Sequence, residues 1–218
     1  MEKDIHRYKL FGRRKGRKKN LDNFEKNFLK KIITKKIELD KNNNNILDIG
    51  SGSGENSLYL SKKFMLSQII ACEKFEDGNL NLCKLIKVNN INNILIFNGN
   101  VLEFFDTIKK NVLDSIWILF PDPWPKKKHH KRRLINDFFI SKLSDVLKKN
   151  GTVHIVTDSQ SYLRQILKLI YNYRESYLWE NQTKSGWEFD PIETQKTKYY
   201  KKALKYDRKP IYIKLIKL

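Results

Sequence analysis

The chain has 218 residues, 40% of them hydrophobic, and a formal net charge of +20. That length supports one well-buried core and is tight for two, while the charge selects a polyanionic partner such as nucleic acid or an anionic surface. No run approaches the roughly 18 apolar residues of a membrane span, and the basic N-terminus lacks the apolar segment of a signal peptide, so a cytoplasmic protein with no membrane partner is expected.

Charge is unevenly spread. Residues 40–110 carry eight acidic and eight basic side chains, so the entire excess lies outside them. A compositional bias toward Lys would be uniform, whereas a binding surface concentrates it. Cys72 and Cys83 have neither metal-ligand nor redox-pair spacing, which reads as two reduced, buried thiols and no metal centre.

In chain order, residues 1–20 form a basic arm. Arg13, Arg14 and Arg17 stand among its cations and Gly12 and Gly16 interrupt any helix, so it is either a solvated tail or an arm that orders on RNA. Residues 21–39 have apolar positions at helical spacing and predict a helix leading into a single domain, residues 21–218. Strand-like runs follow at residues 45–49, 69–72, 94–97, 115–120 and 152–156. Between them, residues 57–64, 78–88, 134–148 and 162–171 show helical patterns, and residues 210–218 alternate as a last strand at the sheet's edge. Strands alternating with helices predict a parallel sheet covered on both faces, with ligands at the carboxyl ends of its strands.

Each strand end carries a polar residue. After the first comes Asp48-Ile49-Gly50-Ser51-Gly52-Ser53-Gly54, where the glycines let a ligand approach the backbone. Asp48, on an apolar strand, requires donors from the glycine turn or a cationic ligand, or else braces the turn. Glu73 ends the second strand and is placed either to accept ribose hydroxyls or to pair with Lys74. Asn100 follows the third and is suited to an adenine edge or to a turn. Three such groups at successive strand ends suit a nucleoside with a cationic tail, as in S-adenosylmethionine. The fourth strand runs into Pro121-Asp122-Pro123-Trp124-Pro125, then Lys126, Lys127, Lys128, His129, His130, Lys131, Arg132 and Arg133. Cations at a helix start are unfavourable unless an anion is bound, so phosphate binding is expected there. Asp158, at the fifth strand end, either caps the next helix or faces substrate. Thr197, Lys198, Tyr199 and Tyr200 combine cations with rings able to stack a base.

With these residues laid out, the chain resembles the bacterial tRNA (guanine-N7-)-methyltransferases over most of its length. The resemblance rests on Pro121 to Lys126 with His129 to Arg133, on Phe11-Gly12-Arg13-Arg14-Lys15-Gly16-Arg17, and on Asp48, Glu73, Asp158 and Thr197-Lys198-Tyr199. It implies a class I S-adenosylmethionine-dependent methyltransferase fold, a Rossmann-like, mainly parallel seven-stranded sheet with helices on both faces. The implied acceptor is a variable-loop guanosine of tRNA; no obligate protein partner is implied, and the expected assembly is a monomer or a homodimer. Residue by residue, Asp48, Gly50, Gly52, Glu73, Asn100 and Asp122 become cofactor contacts, with Asp122 also catalytic. Lys126, Asp158, Thr197, Lys198, Tyr199 and Tyr200 become substrate contacts, while the charge pattern itself leads to the expectation that Lys127, Lys128, Lys131, Arg132, Arg133, Arg13, Arg14 and Arg17 contact RNA phosphates. At Asn100 the family often has Asp, and at Tyr200 usually Glu. The rival readings are methylation of an exocyclic base amine, because Pro121 to Trp124 is similar to an Asp-Pro-Pro-aromatic motif, and a non-catalytic RNA-binding protein on the same fold.

Overall fold

The computed structural model describes residue 27 and residues 33–34, 37–188 and 197–218. Residues 1–20, with Arg13, Arg14 and Arg17, lie outside them, as does most of the expected helix over 21–39. Within that helix the described Ile33–Thr34 instead form a short strand, β1, parallel to a later one.

The strand runs of the sequence recur as β2 (Asn45–Ile49), β3 (Gln68–Glu73), β4 (Ile94–Asn98), β5 (Leu113–Leu119) and β6 (Leu147–Thr157). The helices between them are α1 (Glu55–Lys63), α2 (Glu76–Val88), α3 (Val101–Thr107) and α4 (Asp137–Val146), and α5 (Gln160–Asn172) follows β6. After α5 come β7 (Tyr177–Trp179), α6 (Lys184–Glu188), α7 (Lys198–Lys205) and β8 (Ile211–Lys217). The sheet runs β1-β4-β3-β2-β5-β6-β8-β7: the expected seven strands plus the two-residue β1. Pairing is parallel except that β8 is antiparallel to both β6 and β7.

Alternate residues of each strand face opposite layers. Leu47, Ile70, Ile116 and Ile118 join Phe104, Phe139, Leu143 and Ile166 of α3, α4 and α5 in one core; Ile46, Ile69, Ala71 and Trp117 join Leu60, Leu82 and Ile86 of α1 and α2 in the other. Cys72 and Cys83 are buried free thiols. Among the described residues no helix is long and apolar enough to cross a membrane.

Two sequence expectations require correction. The helix expected to Lys148 ends at Val146, and Leu147 already pairs with Leu113 in the sheet. The last strand is internal, because β7 covers its outer side; three residues are too few to display the alternation that marks a strand. Its Lys217 Nζ donates to the carbonyls of Ser144 and Leu147, at 2.6 and 2.7 Å, tying β8 to the end of α4.

Candidate active site

The strand order reverses between β2 and β5, the crevice where ligands of such sheets bind. A cleft there is lined by Asp48, Gly50 and Ser51 on one side, Leu119 and Phe120 on another, and Tyr199 of α7. Gly50, Gly52 and Gly54 have φ of +70°, +56° and +84°, so the turn needs residues without a Cβ. Gly50 lines the cleft, and a Cβ on Gly52 would stand 3.8 Å from Tyr199. A Cβ on Gly54 would stand 2.6 Å from Leu82, so that glycine serves α1–α2 packing rather than ligand approach. Gly78 in α2, unremarked in the sequence, is the stricter position: its Cβ would lie 2.1 Å from the Gly52 carbonyl oxygen.

Asp48 is 2% exposed. Its donors come from the first turn of α1 and not from the glycine turn: Ser57 Oγ at 2.6 Å and Asn56 Nδ2 at 3.0 Å. Burial pushes its carboxyl up to about 6, with those two bonds opposing and the Glu73 charge adding. Neither donor was legible, since both depend on where the helix begins.

Glu73 braces the turn. One carboxylate oxygen accepts from Gly52 N–H at 3.0 Å, and the other from the Lys74 and Phe75 N–H groups at 2.6 and 2.8 Å. The contact with Lys74 is a backbone hydrogen bond, not the surface ion pair offered as the alternative to ribose binding. Asn100, 3% exposed, caps α3 by accepting from Leu102 N–H at 2.9 Å within a capping box completed by Glu103.

Asp122 stands at the rim between Phe120 and Trp124, whose φ values of +50° and +42° place both flanking residues in the left-handed region. Such strain, on the order of 1–2 kcal/mol each, persists where the surroundings fix it and clusters at functional sites. Surrounding protein raises the Asp122 carboxyl above its ordinary value by desolvation. The same carboxylate, with Glu73 and Glu55, acts with burial to raise the Tyr199 phenol, so several carboxylates gather at the cleft of a chain carrying +20.

The cationic run does not begin a long helix. Lys127–Arg132 form a separate 3-10 turn, and α4 starts later, where Asn136 accepts from Phe139 N–H at 3.0 Å. Lys126, Lys127, Lys128 and Lys131 are exposed and have no carboxylate partner among the described residues. The Arg132 guanidinium lies 5.0 Å from the Trp124 ring centre. Arg133 departs from the expected phosphate contact. It is 2% exposed, and its guanidinium donates to Pro123 O, Ser161 O, Ser161 Oγ and Gln165 Oε1 at 2.8 to 3.1 Å, so it clamps the Pro121–Pro125 loop to α5.

Asp158 neither caps α5 nor stands alone; it pairs with Arg208 at 3.1 Å. Thr197 caps α7, accepting from Tyr200 N–H at 3.2 Å. Lys198 straps that helix to the glycine turn, its N–H donating to Glu55 Oε2 at 2.8 Å and its ammonium to Ser53 Oγ. Tyr199 stacks on Phe120, with ring centres 6.4 Å apart and planes at 23°. The structure therefore brings Thr197, Lys198 and Tyr199 against the residues assigned to the cofactor, and Tyr200 lies half-buried beside them.

A nucleoside cofactor is compatible with this turn. Among the described residues, Ser51 Oγ is buried without a hydrogen-bond partner, and nothing lies within 4 Å of where a Cβ on Gly50 would stand. An unsatisfied hydroxyl beside open glycine backbone suits a polar ligand group.

Fold and cleft together define a class I methyltransferase architecture. A family model described as putative methyltransferase matches residues 42–212. The tRNA (guanine-N(7)-)-methyltransferase of Buchnera aphidicola subsp. Schizaphis graminum is 35% identical over 174 residues, covering 79% of this chain and 72% of that protein. Its namesake in Wolbachia pipientis wMel is 35% identical over 178 residues, covering 78% and 73%. An rRNA methylase from Streptococcus thermophilus superposes with a TM-score of 0.55 at 14% identity over 89% of this chain and 95% of that one. A putative methyltransferase from Streptococcus mutans in complex with SAH gives 0.55 at 14% over 89% and 96%; at such identity the likeness is one of fold. The chain belongs to the tRNA (guanine-N(7)-)-methyltransferase family.

Proposed function

We propose that the protein methylates N7 of guanine in tRNA, at a variable-loop guanosine, in the cytoplasm, with S-adenosylmethionine as methyl donor. The observation that carries this reading is a cleft at the sheet's switch point lined by Asp48 and Glu55, where the charges of Asp122 and Glu73 also reach Tyr199, together with the exposed cations Lys126, Lys127, Lys128 and Lys131, which have no carboxylate partner among the described residues. Such a site takes a cationic nucleoside inside and phosphates outside.

S-adenosylmethionine supplies an electrophilic methyl group on a positively charged sulfonium. Gly50, Gly52 and Ser51 would hold it at the turn, with Asp48, Glu73 and Asn100 around it. Guanine N7 presents an in-plane lone pair and no proton, so no residue has to act as general base. Asp122 orients the base and balances the positive charge that develops on it, and alignment supplies most of the acceleration. Lys126 and its neighbours hold phosphates.

Labelled methyl transfer to tRNA, followed by cleavage specific for 7-methylguanosine, tests the reading. Label without that cleavage would move the acceptor to an exocyclic amine. Asp122→Asn is expected to bind tRNA normally and lose about two or more orders of magnitude in kcat, the scale of one aligned electrostatic group. Turnover equal to that of the parent protein would remove Asp122 from the mechanism. In the parent, kcat should fall on acidification through the raised Asp122 pKa, and the variant should lack that limb.

A further inference from the structure

Helix α7 carries Lys198, Lys201, Lys202 and Lys205. At 100° per residue, these fall within one stripe about 100° wide, opposite the buried Ala203. No carboxylate occurs between Lys198 and Tyr206, and Lys201, Lys202 and Lys205 are exposed without an ion-pair partner among the described residues. Four like-charge contacts at i,i+3 and i,i+4 spacing lie within the eight residues of the helix (198–201, 198–202, 201–205 and 202–205). Each opposes the helix by about 0.2–0.5 kcal/mol. The helix dipole favours Lys202 and Lys205 in the last turn but not Lys198 and Lys201 in the first. A bound polyanion would remove this repulsion.

The position of the stripe identifies the polyanion. The first turn of α7 is bonded to Ser53 and Glu55 and stacked on Phe120, the residue from which the Pro121–Pro125 loop and its cationic turn depart. Two cationic elements therefore start from one cleft. The stripe is about 10 Å long, the reach of about three successive phosphates of a nucleic-acid strand.

We infer that the Lys201–Lys202–Lys205 face of α7 is a second RNA backbone-binding surface, holding phosphates of the same RNA that the Lys126–Lys131 turn holds. This rests on the proposed RNA substrate. It deepens that reading by adding three contacts beyond the Thr197–Tyr200 segment, and it makes α7 a positioning element for the acceptor strand.

The test is tRNA binding by the full chain across a salt series, comparing the parent with a triple variant, Lys201→Gln, Lys202→Gln and Lys205→Gln. Glutamine keeps helix propensity, and thermal melting no lower than the parent's, raised if anything by the lost repulsion, with unchanged S-adenosylhomocysteine affinity verifies the fold. The slope of log K against log salt is expected to fall by about 2 to 3, the release from three phosphate contacts. KM for tRNA should rise with little change in kcat. A control removes three charges at the opposite rim of the sheet, Lys41→Gln, Lys109→Gln and Lys149→Gln, and should leave the slope near that of the parent. An unchanged slope in the α7 variant, or an equal fall in both variants, overturns the proposal. So does an unchanged slope with lost binding to phosphatidylserine vesicles, which would assign the stripe to a lipid surface. A parent protein that neither binds nor methylates tRNA removes the RNA reading itself, an outcome distinct from a parent that methylates tRNA and an α7 variant that matches it.

Discussion

Asp48 illustrates what a single residue discloses. A carboxylate within an apolar strand announces a buried acceptor, but its donors Ser57 and Asn56 could not be read without knowing that α1 begins at Glu55. Burial lifts its pKa from 3.8 to about 6, so the folded chain binds this proton more tightly than the unfolded one. Stability from this group is therefore complete below pH 3.8 and lost as pH rises through about 6. Asp48→Asn should gain on the parent by roughly 2 kcal/mol between pH 4 and 7 in denaturant unfolding, over a constant offset from altered hydrogen bonds. A difference independent of pH would discard this account. Arg133 makes the opposite point: inside a run of six cations, nothing in composition separates the buried member from the exposed ones. Arg133→Ala removes the donor to Pro123 O, Gln165 Oε1 and Ser161 Oγ and is expected to cost about 2–4 kcal/mol of unfolding free energy. Lys131→Ala should change stability by less than about 0.5 kcal/mol and weaken tRNA binding instead.

At the scale of elements, periodicity located the strands from β2 to β6 and the longer helices between them, because each buries a regular face, but it did not mark the seven-residue α3 or the two-residue β1. It failed where an element is too short or is held by distant partners. β7 has three residues, α6 has five, and the Asp158–Arg208 pair joins positions fifty apart, which no local pattern records. The glycine turn was legible as a turn, but not the helix that backs it. Gly78→Ala should drive α2 from the Gly52 carbonyl, and overpacking of about 1–3 kcal/mol would be taken up by the turn. The expected result is a five- to hundredfold loss of S-adenosylhomocysteine affinity by calorimetry with a folded spectrum, of which roughly tenfold corresponds to each 1.4 kcal/mol. Unchanged affinity would show that the turn does not depend on α2.

Among the described residues, acid and base are sorted by place: carboxylates converge at the cleft, and the exposed lysines of the 126–131 turn and of the 201–205 face stand outside it, with Lys198 between the two. The near-neutrality of residues 40–110 made that division visible beforehand, although the closeness of the two zones was not. The Lys198 strap makes their closeness consequential. Its bonds to Glu55 and Ser53 join the helix carrying the RNA-facing lysines to the turn proposed to hold the methyl donor. Two ligands that share one such joint are thermodynamically linked, and the factor by which either alters the other's affinity is the same in both directions. Saturating S-adenosylhomocysteine should change tRNA affinity by the same ratio as saturating tRNA changes S-adenosylhomocysteine affinity, in paired titrations. Lys198→Met should bring both ratios toward one. The strap would then be the part of the molecule that lets the enzyme sense, before committing a methyl group, that both reactants have arrived.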